Sequence, residues 1–234
     1  MGKFAVIDTE TNWADQVMSI GTVIADADSF LPVEAKYHIL PIECEVGGMY
    51  YDTLFLKTPV KPILCTRAEA IADLRSWFRK HGITSIFAYN ACFDRNHLPE
   101  LRDYDWYDIM RLAAYRQYNP KIPANADCCS TGRLKRGYGV EHMLRLLSGN
   151  RTYRESHNAF FDAMDELEIM RLLQISVKQA NASESLHSRH TSECGDPNHQ
   201  IRLSGGVAER SGSSLFIATQ FTRGAASIWS PLVV

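Results

Sequence analysis

The sequence has no apolar run of the length that crosses a bilayer, which is about 20 residues. It also begins without the basic segment and apolar core of a secretory signal peptide, so we expect a cytoplasmic protein that does not use a membrane. Its six cysteines form no C-x-x-C pair and show no regular spacing, which argues against a disulfide framework. The net charge of −2 provides no general attraction to nucleic acid, so any such binding must depend on a local patch.

The composition is that of an ordinary globular protein, with 45% hydrophobic and 22% charged residues among 234. This length suits one substantial domain and an extension. We assign the domain to residues 1–177 and the extension, here called the C-terminal tail, to residues 178–234. Ser, Gly, His and Arg accumulate in the tail and hydrophobic periodicity is lost, so we predict that it is poorly structured.

Hydrophobic patterning predicts strands first, and then strands that alternate with helices. Apolar or alternating runs predict four strands, over residues 3–7, 16–25, 36–40 and 85–89. Thr66, followed by Glu69, forms a capping box that predicts the start of a helix over 67–80. Further helices are predicted from Asp94 onward and over 106–118, 140–148 and 158–175. This order predicts an α/β or α+β domain with a mixed β-sheet flanked by helices.

Two carboxylates, Asp8 and Glu10, come directly after the first apolar strand. Because alternate residues of a strand project from the same face, both side chains point to one place. Without a cation they repel each other, and one of them tends to stay protonated. A divalent cation removes this conflict, since Mg²⁺ and Mn²⁺ prefer carboxylate oxygens. The alternative for an isolated pair of this kind is two solvated acids at the end of a strand.

Two further acidic segments follow. Asp94 comes shortly after the 85–89 strand, at the edge of the sheet where open α/β folds place their sites, although it could instead cap a helix. His157 and Asp162 are five residues apart, a separation that turns the side chain by about 140° on a helix. They meet only if His157 lies in the loop or first turn before the helix of Asp162. Asp165 and Glu166 follow one turn later, and we expect both to be solvated.

Taken together, the three segments resemble the motifs of the DEDDh 3′–5′ exonucleases, a family with an RNase H-like fold. The first motif reads Phe-Ala-Val-Ile-Asp-Thr-Glu-Thr over residues 4–11, and the second Ala-Tyr-Asn-Ala-Cys-Phe-Asp over 88–94. The third, over 157–162, reads His-Asn-Ala-Phe-Phe-Asp. The resemblance covers residues 3 to about 175. Residues 119–137 look like an insertion of unusual composition, which leaves the subfamily open.

The resemblance implies a metal-dependent exonuclease that hydrolyses phosphodiester bonds at the 3′ end and releases 5′-mononucleotides. Asp8, Glu10, Asp94 and Asp162 then hold two Mg²⁺ or Mn²⁺ ions. His157 is then the general base that activates the attacking water. Single-stranded DNA is the favoured substrate. RNA trimming by the same family is the nearest alternative, and an inactive nucleic-acid-binding module or another RNase H-like hydrolase are the others.

The resemblance also implies residues that hold the substrate. Thr9 and Thr11 present backbone amides to the terminal nucleotide, and Trp13 stacks on a base or simply covers the core. Asn90 binds the sugar or phosphate, or else braces its own turn. Arg151 belongs to a basic run over 133–154 that could follow the phosphates or could be a solvated surface. A polymerase or a second copy of the chain as partner is left open.

Overall fold

The computed structural model describes residues 2–174, so the C-terminal tail lies outside the described residues. Six strands form one mixed sheet in the order β4-β3-β2-β1-β5-β6. In chain order they are β1 Lys3–Thr11, β2 Val17–Asp26, β3 Pro32–Ile39, β4 Ile63–Leu64, β5 Ser85–Ala88 and β6 Asp105–Asp108. β1, β2 and β3 form an antiparallel meander, whereas β5 runs parallel to β1 and β6 parallel to β5. β4, which has only two residues, runs parallel to β3 at one edge.

Helices cover both faces of this sheet. They are α1 Pro41–Cys44, α2 Arg67–His81, α3 Ala91–His97, α4 Ile109–Ala114, α5 Val140–Ser148 and α6 Ala159–Leu173, with 3₁₀ helices at Tyr51–Phe55 and Pro99–Leu101. The mixed sheet flanked by helices confirms the predicted fold class. Within residues 2–174, no helix combines the length and the apolar composition that crossing a bilayer requires.

The alternation of β1 divides the core into two layers. Phe4 and Val6 point to the face that α4, α5 and α6 cover, while Ala5 and Ile7 point to the face that α2 covers. All four side chains are buried, with at most 1% of their surface exposed. By the same alternation, Asp8 and Glu10 continue the row of Phe4 and Val6 toward α6. The strand therefore decides which helix the two acids face.

The strand predicted over 36–40 begins earlier, at Pro32, and three further predicted boundaries are wrong. β1 continues through Thr11, so Asp8 and Glu10 lie within the strand and not after it. The helix predicted over 106–118 is a strand up to Asp108 and a helix only over Ile109–Ala114. Trp106 and Tyr107 pair with β5 in parallel register, and the Asp108 carboxylate then accepts the N–H of Met110 and caps α4.

The third of these further boundaries is the start of the helix that carries Asp94. α3 begins at Ala91, and its N-cap residue is Asn90, in the left-handed conformation with φ +63°. Asp94 therefore lies in the first turn and does not cap the helix. The segment 119–137 contributes two isolated bridges, Tyr115 to Arg133 and Cys128 to Leu134, and no regular element.

Candidate active site

The parallel pairing of β1 with β5 brings the first two acidic segments to the same edge of the sheet. Glu10 is 7% exposed and Asp94 is 2% exposed. The Thr9 hydroxyl donates a hydrogen bond of 2.7 Å to Asp94 Oδ1, which ties α3 to β1. Thr9 was predicted to hold substrate through its backbone amide, and its side chain has this second role as a brace for Asp94.

Close contact between α6 and the sheet brings the third segment to the same place. Asp8 pairs with Gly21 across the antiparallel β1–β2 ladder. A Cβ atom at Gly21 would lie 1.9 Å from the carbonyl oxygen of Ala159, at the start of α6. Glycine is therefore what allows the helix to approach the strand, since no side chain fits between them. The first turn of α6 also carries Asp162, which is 4% exposed.

His157 lies in the loop before α6, as the five-residue spacing requires. Its backbone is left-handed, with φ +52°. The Thr53 hydroxyl donates to the carbonyl oxygen of His157, and the ring of Tyr50 stacks on the imidazole with centroids 4.1 Å apart and planes 17° apart. The loop that leads into the Tyr51–Phe55 3₁₀ helix thus orients this histidine, and nothing in the sequence motifs indicates that role.

The next residue, Asn158, fixes the position of the same loop. Its side-chain oxygen accepts the N–H of Phe160 at 3.2 Å and caps α6. Its amide nitrogen donates to the Tyr37 hydroxyl at 3.0 Å and to the carbonyl oxygen of Thr53 at 2.7 Å. One buried side chain therefore joins β3, the 3₁₀ helix and α6.

Three of the predicted site residues converge closely enough to share one cation. Glu10, His157 and Asp162 each offer a ligand atom, and these atoms all lie within 4.8 Å of one another. Asp8 and Asp94 belong to the same electrostatic cluster, because the pKa of Asp8 is raised by the charges of Asp94, Asp162 and Glu10. All five residues predicted to be catalytic thus lie in one region of the fold.

Burial raises the pKa of every carboxyl in this cluster. The pKa of Glu10 rises to about 8, that of Asp94 to about 7 and that of Asp162 to about 9. The pKa of Asp8 rises well above its ordinary value, first through burial and then through neighbouring carboxylates, of which Glu166 acts most strongly. Burial and mutual repulsion thus favour protons on these carboxyls, and a bound cation would offset the same costs.

The donor set fits divalent cations. Asp8 Oδ2 and Glu166 Oε2 are shielded from solvent and have no hydrogen-bond partner. A buried carboxylate oxygen without a partner is strongly unfavourable unless a proton or a cation binds it. Carboxylates are the ligands that Mg²⁺ and Mn²⁺ prefer, and several of them meet here.

The expectation that Asp165 and Glu166 are solvated is wrong. Glu166 is 1% exposed and belongs to the acidic cluster. Asp165 is half-buried and accepts a hydrogen bond from the Tyr153 hydroxyl. The sequence contained a signal for Glu166, because a residue four positions after Asp162 lies on the same face of a helix.

The other residues predicted to bind substrate surround the site less closely. Trp13 is 68% exposed, and its backbone N–H donates to the carbonyl oxygen of Gly47. Asn90 is exposed, its backbone N–H donates to Asp108 Oδ1 at 3.0 Å, and its side chain makes no hydrogen bond that caps α3. Thr11 is partly buried at the end of β1, and Arg151 is exposed in the turn between α5 and α6.

Several members of the basic run over 133–154 have partners close by. Arg145 forms an ion pair with Glu141 at 2.5 Å and donates to the carbonyl oxygen of Tyr153. Lys135 pairs with Asp127, and Arg133 lies over the ring of Tyr138. These contacts favour a structural role for much of the run, which leaves fewer cations for phosphate.

Comparison with solved structures finds the fold of exonuclease I. One structure of exonuclease I, described as suggesting how processivity is achieved, has a TM-score of 0.50 and 15% identity over 80% of this chain and 44% of that chain. The zinc-bound complex of E. coli exonuclease I with single-stranded DNA has a TM-score of 0.49 and 16% identity, over 80% of this chain and 43% of the other. This chain therefore spans less than half the length of these proteins, and at such identities the likeness is one of fold. The sequence matches no known family model and no curated protein.

Proposed function

We propose that this protein is a metal-dependent 3′–5′ exonuclease that acts preferentially on single-stranded DNA and releases 5′-mononucleotides. The observation that carries the proposal is the convergence of Glu10, His157 and Asp162, beside Asp8 and Asp94, at one edge of the sheet. The fold it shares with exonuclease I supports a nuclease scaffold, and the order of the three sequence motifs supports the direction of attack.

Asp8, Glu10, Asp94 and Asp162 would hold two Mg²⁺ or Mn²⁺ ions. When bound, such ions neutralise the non-bridging oxygens of the scissile phosphate and assist the departing 3′-oxygen. The chain's own contribution is to fix the carboxylates. Thr9 holds Asp94 by a hydrogen bond, and β1 aims Asp8 and Glu10 at α6.

His157 would accept the proton of the attacking water. Imidazole suits this step because it exchanges a proton readily near neutral pH. A general base must also be held in one orientation, and the stacked ring of Tyr50 and the hydrogen bond from Thr53 do so here. In the loop before α6, His157 has a left-handed backbone, and its side chain lies beside Glu10 and Asp162.

An unpaired substrate base could stack on Trp13. Its indole is exposed close to the end of β1, which carries Asp8 and Glu10. Stacking on an aromatic ring tolerates any base and favours single strands, because their bases are not paired with a second strand. Thr11, Asn90 and Arg151 would complete the grip on the sugar and phosphate groups.

The test uses DNA and RNA oligonucleotides of one sequence, each labelled at the 5′ or the 3′ end, with Mg²⁺, Mn²⁺ or EDTA. We expect a metal-dependent ladder from the 5′-labelled strand, immediate release of labelled mononucleotide from the 3′-labelled strand, and faster turnover of DNA. The matched control is the double variant Asp8→Asn, Asp162→Asn, which should be inactive. Shortening from the 5′ end, internal cleavage, or no turnover with either metal would contradict the proposal.

A further inference from the structure

Glu166 belongs to the acidic cluster, although none of the three motifs includes it. It lies one helical turn beyond Asp162 on α6, on the face that packs against β1 and β2. Its side chain is almost completely buried, at 1% exposure. The backbone N–H of Tyr89 donates to the carboxylate, which fixes it at the end of β5, beside the segment 88–94 that ends in Asp94.

The second oxygen of this carboxylate has no partner. Glu166 Oε2 is shielded from solvent and accepts no hydrogen bond, and the same is true of Asp8 Oδ2. Among the neighbouring charges, that of Glu166 raises the pKa of Asp8 most strongly. The charges of Asp94 and Asp162 in turn raise the pKa of Glu166. A buried carboxylate oxygen without a partner needs a proton or a cation, and a cation bound by both oxygens would also offset the repulsion between the two charges.

We propose that Glu166 is a fifth carboxylate of the metal site, and that its Oε2 is a ligand atom for a divalent cation held with Asp8. The inference depends on the proposed function only in requiring that cations bind at this cluster. The inference differs from a purely structural role for Glu166. If this buried acid served packing alone, an uncharged side chain of the same shape could replace it without any loss of Mn²⁺ binding.

The test measures Mn²⁺ binding to the full chain without nucleic acid, by titration calorimetry after removal of metals with EDTA. Glu166→Gln keeps the shape and removes the charge. We expect it to lose one bound Mn²⁺ or to weaken Mn²⁺ binding by about tenfold or more, the range typical of residues that support a metal site. Glu168→Gln, on the same helix, is the control, because Glu168 is paired with Arg171 outside the cluster and its loss should leave Mn²⁺ binding unchanged.

The inference would be overturned if Glu166→Gln bound as many Mn²⁺ ions as the wild type, with a Kd within about twofold of the wild-type value. If that variant does not fold, Glu166→Ala is titrated instead, with the same two outcomes. Circular dichroism and thermal melting in EDTA identify the folded variants.

If wild-type protein binds Mn²⁺ but cleaves no oligonucleotide, the proposed function fails and the inference about Glu166 is still decided by the titration. If the wild type cleaves and Glu166→Gln binds Mn²⁺ normally, only the inference fails.

Discussion

At the scale of single residues, Asp162 and His157 are adjacent but have different proposed tasks. Asp162→Asn removes a cation ligand, so we expect turnover to fall by about a thousandfold or more, together with Mn²⁺ affinity. His157→Ala removes the base, so turnover should fall by about 10²–10⁴-fold while Mn²⁺ binding is largely retained. Single-turnover cleavage and calorimetric titration of both variants measure the two effects. A parallel loss of Mn²⁺ affinity in His157→Ala would make His157 a ligand rather than a base.

Tyr50 is expected to act through His157 and not on the substrate. An aromatic stack of this kind contributes about 0.5–1.5 kcal/mol beyond burial, which corresponds to about 2- to 13-fold in rate if it is lost in the transition state. We therefore expect Tyr50→Ala to lower kcat by that factor with KM unchanged, and Tyr50→Phe, which keeps the ring, to behave as wild type. Steady-state kinetics on a 5′-labelled oligonucleotide measure both. A change in KM alone for Tyr50→Ala would assign the tyrosine a different role. So would a loss of kcat in Tyr50→Phe as large as that in Tyr50→Ala.

The residues that the motifs contain were predictable, and those that hold them in place were not. Alternation along a strand is a local rule, so the shared direction of Asp8 and Glu10 follows from the sequence. The role of Tyr50 depends on a loop more than 100 positions from His157 along the chain, and no local rule connects the two. Glu166 was missed because a charged residue is normally taken to be exposed, whereas here the packing of α6 against β1 and β2 buries it.

At the scale of elements, the contact between α6 and β2 depends on Gly21. In Gly21→Ala the new Cβ would meet the backbone of Ala159 at 1.9 Å, and backbone cannot rotate away as a side chain can. We expect the free energy of unfolding to fall by about 1–3 kcal/mol or more, and Mn²⁺ affinity to fall as well because α6 carries Asp162. Urea unfolding and calorimetric titration measure the two quantities.

Gly139→Ala is the matched control for this prediction. Gly139 precedes α5 with φ −76°, and a Cβ there would meet no atom within 4 Å. Its replacement should change the free energy of unfolding by about 1 kcal/mol or less, the range expected at the N-cap position. Equal effects at Gly21 and Gly139 would show that close approach of α6 does not limit stability.

Local sequence rules predicted the start of one helix correctly, where no pairing with a distant strand intervened. The capping box of Thr66 and Glu69 begins α2 as predicted, with both reciprocal hydrogen bonds present. The same reasoning failed over 106–118, because Trp106 and Tyr107 are taken into the sheet by pairing with β5, and pairing between distant strands overrides local helix preference.

At the scale of the whole molecule, the acidic cluster makes stability depend on pH. The pKa values of Glu10, Asp94 and Asp162 are raised to about 8, 7 and 9 in the folded protein. Between about pH 5 and pH 9 the folded state therefore holds protons that the unfolded chain has already released, so the free energy of unfolding falls as pH rises. Acids with lowered pKa values, such as Glu69 and Glu100, act in the opposite direction but complete their titration below about pH 5. His38, whose pKa burial lowers, also acts in the opposite direction, but only up to about pH 6.5.

Thermal melting over this pH range, in EDTA and in excess Mg²⁺, measures the effect. We expect Tm in EDTA to fall with rising pH, and Mg²⁺ to raise Tm by an amount that increases with pH, because cations and protons compete for the same oxygens. Asp162→Asn removes one titrating group and should flatten the curve in EDTA. A Tm in EDTA that is constant or rises from pH 5 to 9 would contradict the assignment of these carboxyls to one buried cluster.

The overall topology could be predicted to the level of a mixed sheet with helices on both faces, since strands alternating with helices require parallel neighbours. The strand order β4-β3-β2-β1-β5-β6 could not be derived from spacing, because the pairing of β1 with β5 joins segments some 80 positions apart. That one pairing is what brings Asp8 and Glu10 to the segment of Asp94.

The shortness of β4 has a consequence for self-association. An unpaired sheet edge offers a row of free N–H and carbonyl groups to any passing strand, which is how fibrils begin to grow. β4 itself offers only two residues for such pairing, Ile63 and Leu64, and the residue before it is Pro62, which has no N–H to offer. A second chain laid along β4 would gain few hydrogen bonds, so strand addition to β4 itself is unfavourable despite the apolar surface of Leu64.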